Sequence, residues 1–257
     1  MQSYMGLPSP QQTKEFTNGM IRFLFPLRGN KAMTATCFSN EYERLRCLFV
    51  DLLTSLRHSP DDESAEDLSR RFFAAVPSIH DQLLEEADYF LRCDPAANSV
   101  EEVMLCYPGY YAIAIYRLAN ELFRMKIPVL PRAMSEYAHN KTGIDIHPGA
   151  TIGRNLYIDH GTGVVIGETT EIGDNVKIYQ GVTLGALYVE KNLQNTKRHP
   201  TIEDNVIIYA GSAILGGNTV IGRNTVIGGN VWLTESVAPH SVVFHKAEIV
   251  IKNKKRK

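Results

Sequence analysis

The sequence predicts an α+β protein in which an α-helical domain leads into a parallel β-helix of hexapeptide repeats. Two periodicities carry that reading. Up to about Lys141 the apolar residues keep a helical spacing, and from Gly143 onward an aliphatic residue returns at every sixth position. A third observation bears on function. The second rhythm breaks twice, and both breaks hold residues able to do chemistry.

In the first half, Tyr42, Leu45, Leu48, Phe49, Leu52, Leu53 and Leu56 fall on one stripe of a helix. Further stripes run through 79–91, 110–125 and 129–137, and Pro95, Pro108, Pro128 and Pro131 punctuate them as starts or breaks. Residues 1–141 are therefore read as a helical domain built for packing and assembly.

In the second half, Ile146, Ile152 and Ile158 form one phase, and Ile166, Ile172, Ile178 and Leu184 a second. Ile202, Ile208 and Ile214 form a third, with Ile221 and Ile227 following after a one-residue slip. Each aliphatic points inward, and the Gly or polar residue after it suits a tight corner. Three hexapeptides, about 18 residues, close one triangular coil, and stacked coils bury a continuous apolar column. Residues 142–243 are assigned to this prism and 244–257 to a C-terminal tail, whose basic run from Lys252 reads as solvated. The glycines of "GGNTVIGRNTVIGG" are corner punctuation, not a nucleotide cradle.

The first break lies between Ile158 and Ile166, which are eight residues apart where six are expected, so two extra residues bulge out with His160 among them. The second is "GALYVEKNLQNTKRHP", which has no usable repeat and reads as a polar loop over 186–199 thrown out of the prism. Long loops on rigid scaffolds commonly serve binding.

Composition narrows the classes further. The chain of 257 residues is 44% hydrophobic and 21% charged, ordinary for a soluble protein, and its net charge of −1 points to neither nucleic acid nor an anionic membrane. It contains no run of 18 apolar residues and no basic-then-apolar leader. Cys37, Cys47, Cys93 and Cys106 show no CxxC or framework spacing, so reduced thiols and a cytoplasmic location are expected.

Asp145 and His160 are 15 residues apart, which on a coil of about 18 puts them on adjacent layers near one corner. A carboxylate beside an imidazole fixes its tautomer and supports the imidazolium, so His160 suits a general base for a hydroxyl substrate. The alternative is a capping Asp and a corner-filling His, and the break in the repeat at this place favours chemistry. Arg198-His199 ends the extruded loop, and a guanidinium grips a carboxylate in a planar, two-pronged fashion. Asp159 and Glu168 bracket His160 and suit an ammonium group, or equally a bond to their own backbone. His139, His147, His160 and His199 raise the question of zinc, but no HxxH or CxxC spacing supports it, so no metal is expected.

With those residues in place, the sequence resembles the serine acetyltransferases, which make O-acetylserine for cysteine biosynthesis. The resemblance covers about 78–231 and is carried by "GIDIHPGATIGRNLYIDHGTGVVIGET", "QGVTLGA", "KRHPTIEDNVIIYAGSAILGG" and "IGRNTVIGGNV". The upstream "RCDPAANS" resembles the family's Asp-Pro-Ala element. The resemblance implies a left-handed β-helix and direct acetyl transfer from acetyl-CoA to L-serine, with no acyl-enzyme and no metal. It implies that His160 is the general base and Asp145 its dyad partner. Asp94 and Asp159 would hold the amino acid, Arg198 and His199 would grip its carboxylate side, and Glu168 would share the pocket. Gly185, Ala186, Ala210 and Gly229 would line the coenzyme A groove.

The resemblance also implies a homotrimer with active sites between neighbouring prisms, in some members joined as a dimer of trimers, and L-cysteine as a feedback inhibitor competing at the serine site. The chain departs from the family in three places. The loop before "RHP" is the longer "LYVEKNLQNT". "FHKAEIV" replaces a Gly-x-Pro-Ala-Arg-like turn on the coenzyme side. The last residue is Lys257 where many relatives have the isoleucine that inserts into cysteine synthase, so that complex is not expected. Three other readings compete: a hexapeptide acyltransferase for a sugar or other hydroxyl, a γ-type carbonic anhydrase, which requires zinc, and a non-catalytic scaffold, which has no use for His160 in a bulge.

Overall fold

The computed structural model describes residues 7–26, 34–56, 63–187 and 196–246. Among these, six helices precede fourteen short strands. The helices are α1 (Pro10–Leu24), α2 (Ala35–Ser55), α3 (Ala65–Cys93), α4 (Val100–Cys106), α5 (Pro108–Arg124) and α6 (Leu130–Thr142). Hydroxyl side chains of Ser9, Thr34, Ser64 and Ser99 cap the first four, each accepting from a backbone N–H three residues on. Pro10, Pro108 and Pro131 occupy first turns, where a missing N–H costs nothing. Gly143, at φ 73°, ends α6 in the left-handed conformation that glycine adopts without strain.

Three helices differ from the predicted stripes. The stripe from Ile79 is only the second half of α3, which continues through Pro77 back to Ala65. Buried Leu68, Phe72, Phe73 and Val76 before it and Ile79 and Leu83 after it hold the helix on one apolar face. α1 and the two-turn α4 lie outside the predicted stripes. α1 packs through Phe16, stacked on Phe49 at 4.9 Å, with Phe72 5.0 Å beyond.

The strands form three parallel sheets, the faces of a triangular prism. One face stacks β1 (Asp145–Ile146), β4 (Val165–Ile166), β7 (Thr183–Gly185), β10 (Ala213–Leu215) and β13 (Trp232–Leu233). The second contains β2 (Thr151–Ile152), β5 (Glu171–Ile172), β8 (Thr201–Ile202) and β11 (Val220–Ile221). The third contains β3 (Tyr157–Asp159), β6 (Lys177–Tyr179), β9 (Ile207–Ile208), β12 (Val226–Ile227) and β14 (Val242–Val243). All twelve period-six aliphatics, from Ile146 to Ile227, are buried in the shaft. Each contributes about 1.5–3 kcal/mol relative to exposure.

Register locates both insertions. Val165 pairs with Thr183, a coil of 18 residues, whereas Asp145 pairs with Val165, a coil of 20. Thr183 pairs with Ala213, a coil of 30, so the extruded loop adds twelve residues and Leu184 and Ile202 sit on successive faces. Residues 188–195 of that loop, and 247–257 of the tail with Lys257, lie outside the described residues. At one corner Asn155, Asn175, Asn205 and Asn224 repeat at φ 57–59°. Asparagine tolerates that region better than most residues, and Asn155 donates to Asn175 at 3.0 Å.

The helical domain docks on the first coils by donating to their carbonyls. Tyr116 donates to Ala150 at 2.6 Å, Asn120 to Pro148 at 2.8 Å and Arg117 to Ile152 at 2.6 Å. Arg117 also pairs with the fully buried Glu86 of α3. Burial pushes the Glu86 carboxyl up while Arg117 pulls it down. Phe90 meets Tyr157 edge-on at 4.7 Å, and Gly109 lies against the Ile158 backbone where no Cβ fits. These contacts set the end of α3 and the start of α5 above β3. Among the described residues no helix is long and apolar enough to cross a membrane.

Candidate active site

The two extra residues of the 20-residue coil are His160 and Gly161. The register shows this, because Gly163 donates to the carbonyl of Gly143 and Gly181 to that of Thr162, which restores normal stacking just beyond them. His160 has φ 55° and Gly161 φ 82°. At Gly161 a Cβ would collide with Ile144, so only glycine closes the turn while His160 is turned outward. The imidazole is 75% exposed, with Nε2 3.7 Å from Asp159 Oδ1.

Above this corner lies Asp94, the C-terminal cap of α3. Its Oδ1 accepts from the backbone N–H of Ala96 at 2.8 Å, and its Oδ2 from the Tyr107 hydroxyl at 2.6 Å. The Tyr107 bond, then the Ala96 bond, with a smaller contribution from His160, hold the Asp94 carboxyl below its usual range. The same bond pushes Tyr107 up to about 12, so the proton stays on the phenol. Among the described residues no Lys or Arg forms an ion pair with Asp94 or Asp159. The corner is thus two carboxylates beside an exposed imidazole, a setting that attracts a small cation such as an ammonium group.

A second group gathers at the next corner, where the extruded loop returns. Glu168 pairs with Arg198. Thr169 organises the turn, its hydroxyl accepting from the backbone N–H of Arg198 at 2.9 Å and of His199 at 3.1 Å. Its own N–H donates to His199 Nδ1 at 3.1 Å, which leaves the His199 proton on Nε2. Burial, then the adjacent Arg198, pushes His199 down to about 4, so the ring is neutral near pH 7. The ring lies on Gly167, where a Cβ would overlap it. A cleft of about 420 Å³, lined by Phe123, Gly149, Glu168 and Lys197 among others, opens beside this turn. His147, edge-on to Phe123 at 6.0 Å, faces Glu168 and Arg198, and burial lowers it.

Asp145 and His160 lie on adjacent layers, yet no hydrogen bond or ion pair joins them among the described residues. Asp145 instead faces Arg132 of α6 at 3.7 Å, and its buried Oδ1 accepts no hydrogen bond. Glu136, His139 and Asp145 place ligand atoms within 4.8 Å of one another, with Arg132 paired to both carboxylates. Within one chain the site residues therefore divide. Asp94, Asp159 and His160 stand at one corner, and Glu168, Arg198 and His199 at another, with the first sheet between them and Asp145 on its outer face.

No protein-family model matches the chain. Individual proteins do. A plasmid serine acetyltransferase of Synechococcus elongatus is 49% identical over 186 residues, 70% of this chain and 58% of that relative's length. A serine acetyltransferase of Helicobacter pylori is 47% identical over 164 residues, 64% of this chain and 94% of the relative. Among solved structures, serine acetyltransferase isoform 3 of Entamoeba histolytica in complex with cysteine superposes with a TM-score of 0.81 at 32% identity, over 93% of this chain and 84% of that one. The chain belongs to the serine acetyltransferase family. It shares the family's α+β fold, helices followed by a left-handed parallel β-helix.

The residues that the serine acetyltransferase resemblance assigns to coenzyme A divide in the same way. Ala210 and Gly229 lie on successive layers of the His160 corner, where Asn230 donates to the Ala210 carbonyl at 2.9 Å. Gly185 and Ala186 sit on the opposite edge of the first sheet, where the extruded loop departs. Three residues of these two corners have no role assigned from the sequence: Tyr107, Thr169 and Gly167. The serine acetyltransferase motif "GET" contains two of them, but their role is to hold His199, 30 residues on, which no local pattern reveals.

Proposed function

We propose that the chain transfers the acetyl group of acetyl-CoA to the hydroxyl of L-serine, giving O-acetyl-L-serine and coenzyme A, the entry step to cysteine biosynthesis, in the cytoplasm. The observation that carries this is the corner at His160, where an outward imidazole stands between carboxylates that no basic side chain among the described residues neutralises. Asp94 and Asp159 bind the serine ammonium, which brings the β-hydroxyl to His160. His160 takes the hydroxyl proton as Oγ attacks the thioester carbonyl carbon. Collapse of the tetrahedral intermediate breaks the C–S bond, and the imidazolium returns the proton to the departing thiolate. The thioester is already activated, so the reaction runs by direct transfer, without an acyl-enzyme and without a metal.

The division of the site over two corners supports a homotrimer in which each active site lies between neighbouring prisms. The His160 corner of one copy faces Asp145, Arg198 and His199 of the next. Asp145, whose side chain is 21% exposed on the outer face of the first sheet, then gains the imidazole as partner and completes the dyad. Arg198, positioned by Glu168 and Thr169, meets the serine carboxylate, and His199 offers Nε2–H. Coenzyme A lies along the same seam, between Gly185 and Ala186 of one prism and Ala210 and Gly229 of the other. L-cysteine carries the same ammonium and carboxylate as serine, so it competes at this site. That fits the cysteine complex of the Entamoeba relative.

The test is thiol release from acetyl-CoA with and without L-serine, in the wild type and in His160→Ala. Serine-dependent release should fall by about 100-fold or more in the variant while acetyl-CoA still binds. Release within twofold of wild type would remove His160 as the base. No release with serine from the folded protein would redirect attention to sugar hydroxyls first and to a scaffold role next.

A further inference from the structure

The helix start at Tyr107 is built unlike the four before it. Ser9, Thr34, Ser64 and Ser99 use their side chains to cap their own helices, whereas Tyr107, at the cap of α5, makes no side-chain bond to its helix. Its hydroxyl reaches across to Asp94 Oδ2 at 2.6 Å, 13 residues back in the chain. We infer that Tyr107 is a positioning residue for the ammonium group of the acceptor amino acid, acting through Asp94.

The chemistry of the donor is the reason. Asp94 receives one hydrogen bond on each oxygen, from Ala96 N–H and from Tyr107 O–H, so its plane is fixed while each oxygen keeps a free lone pair. Both donors are neutral. A lysine or arginine in place of Tyr107 would fix the carboxylate equally well and cancel the charge that the ligand requires. The charged and titratable groups facing this pair are Glu102 of α4, Asp159 at the end of β3 and His160, so an arriving ammonium meets an acidic corner whose nearest carboxylate is already oriented. The ring of Tyr107, edge-on to Phe90 at 6.2 Å, is anchored apart from its hydroxyl, so phenylalanine preserves the packing and removes only the bond.

This inference rests on Asp94 binding the ammonium, and a double-mutant cycle separates the two ideas. Tyr107→Phe should raise the KM for L-serine by about tenfold, leave kcat within about twofold and leave the KM for acetyl-CoA unchanged. Inhibition by L-cysteine should weaken in parallel. Asp94→Asn should raise the serine KM further, and the double variant should be no worse than Asp94→Asn alone. If Tyr107→Phe leaves the serine KM within twofold while Asp94→Asn raises it, Tyr107 has no positioning role. Multiplying effects in the double variant overturn the action through Asp94. An unchanged serine KM in Asp94→Asn removes the ammonium reading itself, and the inference with it.

Discussion

At the scale of single residues, His199 shows how burial and charge act together. Its ring is packed on Gly167 beside Arg198, and both surroundings disfavour the imidazolium, so its pKa falls from 6.5 to about 4. The sign follows directly. The folded protein binds this proton less readily than the unfolded chain, so the stabilising contribution is complete above pH 6.5 and is lost as the pH falls through about 4. Thermal unfolding between pH 4 and 8 should therefore show a steeper loss on the acid side for the wild type than for His199→Gln. Parallel curves would mean that His199 is protonated at little cost. Its place at the end of the extruded loop was legible in the sequence, because "RHP" stands where the repeat resumes. The Thr169 hydroxyl and N–H that orient it were not, since a contact across 30 residues leaves no trace in local spacing.

At the scale of elements, the docking of α5 on the first coils decides where Asp94 and Tyr107 end up. Arg117 is the centre of that docking, bonded to Glu86 and to the carbonyl of Ile152. Arg117→Met leaves Glu86 buried without its partner and should cost about 3–5 kcal/mol, seen as a lowered denaturation midpoint. Glu86→Leu/Arg117→Met should recover part of the loss but not all, because the Ile152 carbonyl remains unsatisfied. A midpoint for Arg117→Met equal to wild type would show that the pair does not hold the domains together. The strands were legible because each coil repeats one instruction, an inward aliphatic every six residues. Where α3 begins was not, because a helix that runs through Pro77 is held by packing, with Phe72 and Phe73 on one side and Leu83 on the other outweighing its missing hydrogen bond.

At the scale of the whole molecule, the prism separates two groups of polar residues that the proposed reaction must bring together, and in the proposed trimer a second copy reunites them. Two inactive proteins should then complement each other. His160→Ala and Arg198→Ala subunits, unfolded and refolded together, should regain activity, with about a quarter of the sites in randomly mixed trimers intact. No recovery over the separately refolded controls would place both residues in a site within one chain. The docked helices also give the shaft two unlike ends. Their hydrogen bonds grip the coils that hold Asp145 and His160, whereas Trp232, Val242 and Phe244 on the far coils remain more than two-thirds exposed. Thermal breathing in a stacked solenoid runs inward from its less secured end. His160 is thus kept still while the layers of Ala210 and Gly229 are free to loosen. On the proposed function, a long coenzyme would enter and leave along such a seam by opening it like a zip, without disturbing the teeth that do the chemistry.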